Sequence, residues 1–233
     1  MTTVPVGTLL GWVEDGRRRL EQAVDALPAG AVAEPSALPG WTRGHVLTHL
    51  ARNADALVNL LNWAATGIRT AMYASPDQRG ADIEAGAGRP LAEQRADLRE
   101  SAERFAKTAG SLSGDAWSAL VTSAQGREIP ASEVPWLRVR EVWIHLVDLR
   151  VGIGMDVLPP ELAWALVEDA AAWMSSRVAP DFCVEVTGEG HGAVVLGPGT
   201  PRTRIAAPPH ALAAWLTGRD GGGSGFPELP RWL

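Results

Sequence analysis

The sequence predicts an α+β protein, with an N-terminal four-helix bundle over residues 1–155 and a small C-terminal α/β domain over residues 156–233. Three observations lead there. Apolar residues recur at helical spacing in four long segments of the first part, and the texture changes to strand-like alternation after "GIGMDVLPP". At 233 residues the chain exceeds the usual single-domain length, and 46% hydrophobic with 21% charged residues is an ordinary globular balance.

The first helix is read from about Val6 to Leu27, and the Pro/Gly-rich "LPAGAVAEPSALPGW" ends it. Thr42 is a good N-cap for the second, with Trp41 placed to pack on Val46 in a hydrophobic staple, and the apolar pattern runs to about Thr66. The stretch up to Leu91 is read as a connection. A third helix covers about Leu91 to Leu112, and a fourth runs from about Pro135, suited to an early helical position, to Val151. Four long helices joined by loop-like links make a bundle. In the second part a helix over about Pro160 to Val178 precedes three strands, "FCVEVTG", "GAVVLG" and "TRIAA", and a short helix "HALAAWLTG". Gly188, Gly190 and Gly192 are spaced wrongly for a nucleotide fingerprint, and no helix follows them, so they mark a hairpin turn. The Gly/Pro-rich tail has no regular structure, and its last residues Arg231, Trp232 and Leu233 are expected to dock back onto the body.

A net charge of −6 with no dense basic tract argues against nucleic acid as a partner. The N-terminus has no basic leader and meets Glu14 and Asp15 after a short apolar run, so a signal peptide or membrane span is not expected and the protein is read as cytoplasmic. The single cysteine, Cys183, excludes an internal disulfide and a cysteine-rich metal site; in a strand-like apolar run it is read as inert. Lys107 is the only lysine among 21 basic residues, which with abundant Ala, Gly and Pro points to a high-GC genome.

Two short segments carry chemistry. In "GWTRGHVLTHLARN", His45 and His49 lie one turn apart; Val46, Leu50, Asn53 and Leu57 flank the His49 side, which turns His49 toward the interior and leaves His45 in the first turn near solvent. In "PWLRVREVWIHLVDLRVG", Glu141 and His145 are again four apart, with Arg138 and Asp148 on the same stripe. A carboxylate and an imidazole on one helix and an imidazole on a facing one supply the three N/O donors of a catalytic zinc site with a fourth position open, and Asp148 would then orient an imidazole. Spacing alone leaves a second reading open, in which the stripe is an exposed ion-paired face and His49 a core histidine bonded to a carbonyl.

Further blocks, "NWAATG", "MYASPDQR", "SAQGREIPASE" and the terminal "PRWL", occur with these two in an order and at spacings that resemble the mycothiol-dependent maleylpyruvate isomerases of the DinB-like metal-binding bundle family. The resemblance covers essentially the whole chain. It implies a DinB-like bundle, zinc held by His49, Glu141 and His145, and a functional arginine at Arg79 in "MYASPDQRGADIEAG". The implied reaction is cis-trans isomerisation of 3-maleylpyruvate to 3-fumarylpyruvate in gentisate breakdown, a route of aromatic degradation. A thiolate adds to the conjugated alkene, the bond rotates while it is single, and loss of the thiolate restores the trans alkene. With Cys183 in the wrong context, the nucleophile is an external cofactor, mycothiol, the actinobacterial small thiol. Arg79 is suited to hold a substrate carboxylate or the enolate. Partners are thus small molecules, the expected state is a monomer, and the alternative on the same scaffold is a mycothiol S-transferase acting on another electrophile.

Overall fold

The computed structural model describes every residue except 1–2, 202, 220–224, 231 and 233. It divides into two compact units, Val4–Val151 and Gly152–Leu233. The division falls just after Arg150, whose φ of 54° is left-handed, and at Gly152, whose φ of 80° only glycine adopts easily. Residues 152–155 therefore leave the bundle, and the 3-10 turn Met155–Val157 packs against the last helix of the second unit.

Within Val4–Val151 the long helices are α1 (Val6–Asp25), α2 (Arg43–Thr66), α4 (Leu91–Ser111) and α5 (Val134–Asp148), the expected four. α2 packs against α4 and α5, and α5 against α1. α1 ends where the Arg95 guanidinium of α4 donates to the carbonyls of Val24, Asp25 and Leu27, groups that helix termination leaves without intrahelical partners. α1 and α5 meet closely at Gly16, where a Cβ would lie 2.7 Å from the Trp143 indole nitrogen, which donates to the carbonyl of Trp12 at 2.8 Å. Trp136 and Trp143, each 1% exposed, fill the core beside Leu9, Leu20, Leu50 and Leu57.

α2 begins as the sequence predicts. The Thr42 hydroxyl accepts from the His45 amide, and the His45 ring nitrogen Nδ1 accepts from the Thr42 amide at 3.1 Å, so histidine takes the part usually played by glutamate in a capping box. It ends at Gly67, left-handed at φ 73°.

Two elements depart from the sequence expectation. The stretch taken as a connection contains a helix, α3 (Pro76–Ala87), capped by Ser75, whose side chain accepts from the Gln78 amide at 3.0 Å. The link between α4 and α5 contains a small antiparallel hairpin, β1 (Leu120–Thr122) and β2 (Glu128–Pro130). α3 lies against α2, and the buried Gln94 of α4 pins its C-terminal end by donating to the carbonyls of Gly86, Ala87 and Arg89.

In Gly152–Leu233, α6 (Pro160–Ser175) packs against α7 (Pro209–Thr217). Beside them is a three-stranded sheet of order β4-β3-β5, built from β3 (Val184–Gly188), β4 (Ala193–Leu196) and β5 (Thr203–Ala207). β3 and β4 pair antiparallel through the expected glycine turn, with Gly190 at φ 74°, while β5 runs parallel to β3. Cys183 is buried, as expected, and its thiol donates to the Gly199 carbonyl at 3.0 Å. Of the three tail residues, Trp232 is buried with the Arg219 guanidinium 6.0 Å from its ring; Arg231 and Leu233 lie outside the described residues. Among the described residues no helix is long and apolar enough to cross a membrane.

Candidate metal centre

His49 on α2 and Glu141 and His145 on α5 converge. The Nε2 atoms of both imidazoles face one carboxylate oxygen, Glu141 Oε2, at 2.8 Å from His49 and 3.2 Å from His145, and the rings meet edge to face with centroids 4.8 Å apart. One donor atom from each residue lies within 4.8 Å of the other two. Donors about 2.0–2.1 Å from a tetrahedral ion stand roughly 3.3 Å apart, close to the two carboxylate–imidazole distances. The donor chemistry, two imidazoles and a carboxylate, is that of zinc sites with an open position.

The surroundings favour an interior site over an exposed ion-paired face. Arg138 is 2% exposed and Asp148 1%. Asp148 accepts from His145 Nδ1 at 2.8 Å, which holds the ring with Nε2 turned to the cluster, the outer carboxylate arrangement typical of ligating histidines. Arg138 donates from Nη1 to the Leu50 carbonyl and to Asn53 Oδ1, joining α5 to α2, and burial pulls its pKa down to about 10. Asn53 is therefore a buried bridge.

Charge within the cluster is strongly coupled. Burial would push the Glu141 carboxyl up, yet the charge of His49 and hydrogen bonds from His145 and His49 hold it well below the usual carboxylate range. Burial pulls His49 down, outweighing the attraction of Glu141. Burial also opposes the charge on His145, but its bonds to Asp148 and Glu141 raise it above the ordinary value.

Arg79 stands at the first turn of α3 with Nη2 3.3 Å from His49 Nδ1. Because a guanidinium only donates, Nδ1 accepts here, and the ring proton sits on Nε2 toward Glu141. An ion on Nε2 requires the opposite tautomer, which withdraws the acceptor from Arg79. His45 does not join the cluster: its Nδ1 serves the α2 cap, and its Nε2 faces Glu84 at 3.4 Å. Arg43 is structural, donating to the carbonyls of Leu149 and Arg150 and to Glu34.

Sequence reasoning missed two aromatic neighbours. Tyr73 lies just before α3 with the Arg79 guanidinium carbon 5.7 Å from its ring centre, and burial raises its phenol pKa. Trp41 packs its ring 5.6 Å from His49 and 6.0 Å from His45. The "SPDQ" run was a legible cap signal for α3, since serine before proline at the first turn starts helices.

A bundle whose facing helices bring two imidazoles and a carboxylate together has the donor arrangement that metal-binding helix bundles use. The family model for the mycothiol maleylpyruvate isomerase N-terminal domain matches residues 13–150, and the chain belongs to that family. Two crystal structures of mycothiol-dependent maleylpyruvate isomerase, one of them a histidine-to-alanine mutant, align over 100% of both chains at 32% identity, with TM-scores of 0.89 and 0.90 for the unsubstituted and mutant proteins. YfiT from Bacillus subtilis, described as a probable metal-dependent hydrolase with an unusual four-helix bundle topology, aligns at 16% identity and TM-score 0.54 over 64% of this chain and 86% of its own, a likeness of fold alone. No curated protein matches by sequence.

Proposed function

We propose that this chain is a mycothiol-dependent isomerase converting 3-maleylpyruvate to 3-fumarylpyruvate, with zinc held by His49, Glu141 and His145. The observation that carries the reading is the convergence of those three side chains beside Arg79, in a chain that shares its full length with isomerases of that name. The burial of Cys183, the one cysteine of the sequence, favours an external small thiol over a protein nucleophile, and the protein is read as a cytoplasmic monomer. The place in gentisate degradation follows from the substrate.

Zinc, when bound, would favour the thiolate form of mycothiol at neutral pH, and that thiolate is what makes the alkene rotatable. The protein side chains do the rest. Asp148 fixes the His145 ring by taking its Nδ1 proton in a hydrogen bond, and Glu141 stays ionised under the influence of both imidazoles. Once His49 carries its proton on Nδ1, Arg79 loses its acceptor there and its guanidinium is available to a substrate carboxylate or to the enolate oxygen. The Tyr73 ring lies beside Arg79, its centre 5.7 Å from the guanidinium carbon.

The test is isomerisation of maleylpyruvate by zinc-loaded protein with and without mycothiol, beside His49→Ala. Turnover that needs the thiol and falls by two or more orders of magnitude in the variant, on the order expected when a metal ligand is removed, supports the reading. Mycothiol binding with intact zinc but no turnover moves the function to a mycothiol S-transferase.

A further inference from the structure

Arg79 reaches the donor cluster from the less anchored end of α3. That helix is held from Ile83 onward, where Ile83, Gly86 and Ala87 are buried and Gln94 donates to the carbonyls of Gly86 and Ala87. Asp77, Gln78, Gly80, Ala81 and Asp82, on either side of Arg79, are exposed. Helix packing at this end therefore does not choose among the many rotamers of a long arginine side chain.

Two contacts meet the guanidinium. One is the hydrogen bond from Nη2 to His49 Nδ1 at 3.3 Å, and it belongs to the metal-free centre, because an ion on His49 Nε2 moves the ring proton to Nδ1 and removes the acceptor. The other is the ring of Tyr73, whose centre lies 5.7 Å from the guanidinium carbon, within the range of a cation–π contact. This second contact does not depend on the tautomer of His49.

Tyr73 is tied to the helix that carries His49. Asn59 of α2 donates from Nδ2 to the carbonyls of Ala71 and Met72, at 3.3 and 3.4 Å, and so holds the chain just before Tyr73. The phenol feels the charges of both Arg79 and Glu141, which puts it beside the cluster.

We propose that Tyr73 is a positioning residue, whose ring keeps the Arg79 guanidinium beside His49 once a bound metal has taken the His49 acceptor away. The contact itself is a matter of geometry; its consequence for turnover rests on the isomerase reading.

The test observes Arg79 first and turnover second. In the zinc-loaded full chain with isotope-labelled arginine, the Arg79 Nε–H resonance, identified by its loss in Arg79→Gln, is expected to carry an upfield shift from the ring. Tyr73→Leu should abolish that shift, and Tyr73→Phe, which keeps the ring, should restore it. With maleylpyruvate and mycothiol, Tyr73→Leu is expected to lower kcat/KM by about ten-fold at unchanged zinc content, the worth of a partly desolvated cation–π contact, and Tyr73→Phe should rescue it. Because the ring acts through Arg79, Tyr73→Leu added to Arg79→Gln should cost about two-fold at most. An Arg79 resonance that Tyr73→Leu does not move overturns the proposal. So does a loss in Tyr73→Phe equal to that in Tyr73→Leu, or an undiminished ten-fold loss in the Arg79→Gln background. If the parent holds zinc but does not turn over maleylpyruvate, the isomerase reading fails, and the resonance alone decides whether the ring holds Arg79.

Discussion

Asp148 stands one turn beyond His145, 1% exposed, with its carboxylate 2.8 Å from the imidazole Nδ1. It contributes no atom to the donor set, yet it decides which nitrogen of His145 is free to ligate. The same bond raises the His145 pKa, so in the metal-free protein the imidazolium is favoured: its contribution to stability is complete below the ordinary histidine value and is lost as pH rises through the raised one. A metal ion needs the neutral ring, so zinc binding displaces that proton and strengthens as pH rises. Asp148→Asn keeps the shape and removes the charge. Zinc affinity is expected to fall by roughly 10–100-fold. Calorimetric titration in two buffers of different ionisation enthalpy should also show fewer protons released per zinc than in the parent. An unchanged affinity would remove Asp148 from the support of the centre.

Among the elements, α3 shows both what patterning reveals and where it stops. α2 was legible from end to end because a cap residue, a continuous apolar face and a terminal glycine all agree. α3 was not: its 12 residues bury little beyond Ile83 and Ala87, so no apolar stripe advertises a helix, and only the Ser75 cap marks its start. β1 and β2, three residues each, are too short for alternation to register. What holds α3 is close approach to α2. A Cβ on Gly44 would collide with the Ala87 carbonyl oxygen, and one on Gly86 with the Thr48 side chain. Gly44→Ala is therefore expected to destabilise the protein by about 1–3 kcal/mol, read as a lower urea midpoint, despite the better helix propensity of alanine. Since α3 carries Arg79, the variant should also raise KM for maleylpyruvate. An unaltered midpoint would mean that the two helices are not locked by this contact.

At the scale of the whole molecule, His49, Glu141 and His145, the donors found among the described residues, all lie in Val4–Val151. That concentration explains why so much of the site could be read from sequence. His49 is placed by one helix face, Glu141 and His145 by another, and i,i+4 spacing survives translation from sequence to structure. Trp41 and Tyr73 could not be found this way. They sit outside regular elements, and only the folding of the bundle brings their rings to His49 and Arg79. The same concentration makes a prediction about where metal stabilises the chain. An ion bound only by the native arrangement stabilises it by mass action, about 2.7 kcal/mol at a free concentration one hundred times Kd. Openings that separate α2 from α5 break the site and so are suppressed by the full amount; local openings of β3, β4 and β5 leave every donor in place and are not. Hydrogen exchange with and without zinc should therefore slow the amides of α2 and α5 around His49 and His145, and leave locally exchanging amides of the three strands unchanged. Equal protection in the strands would show that their opening is coupled to the loss of the metal site.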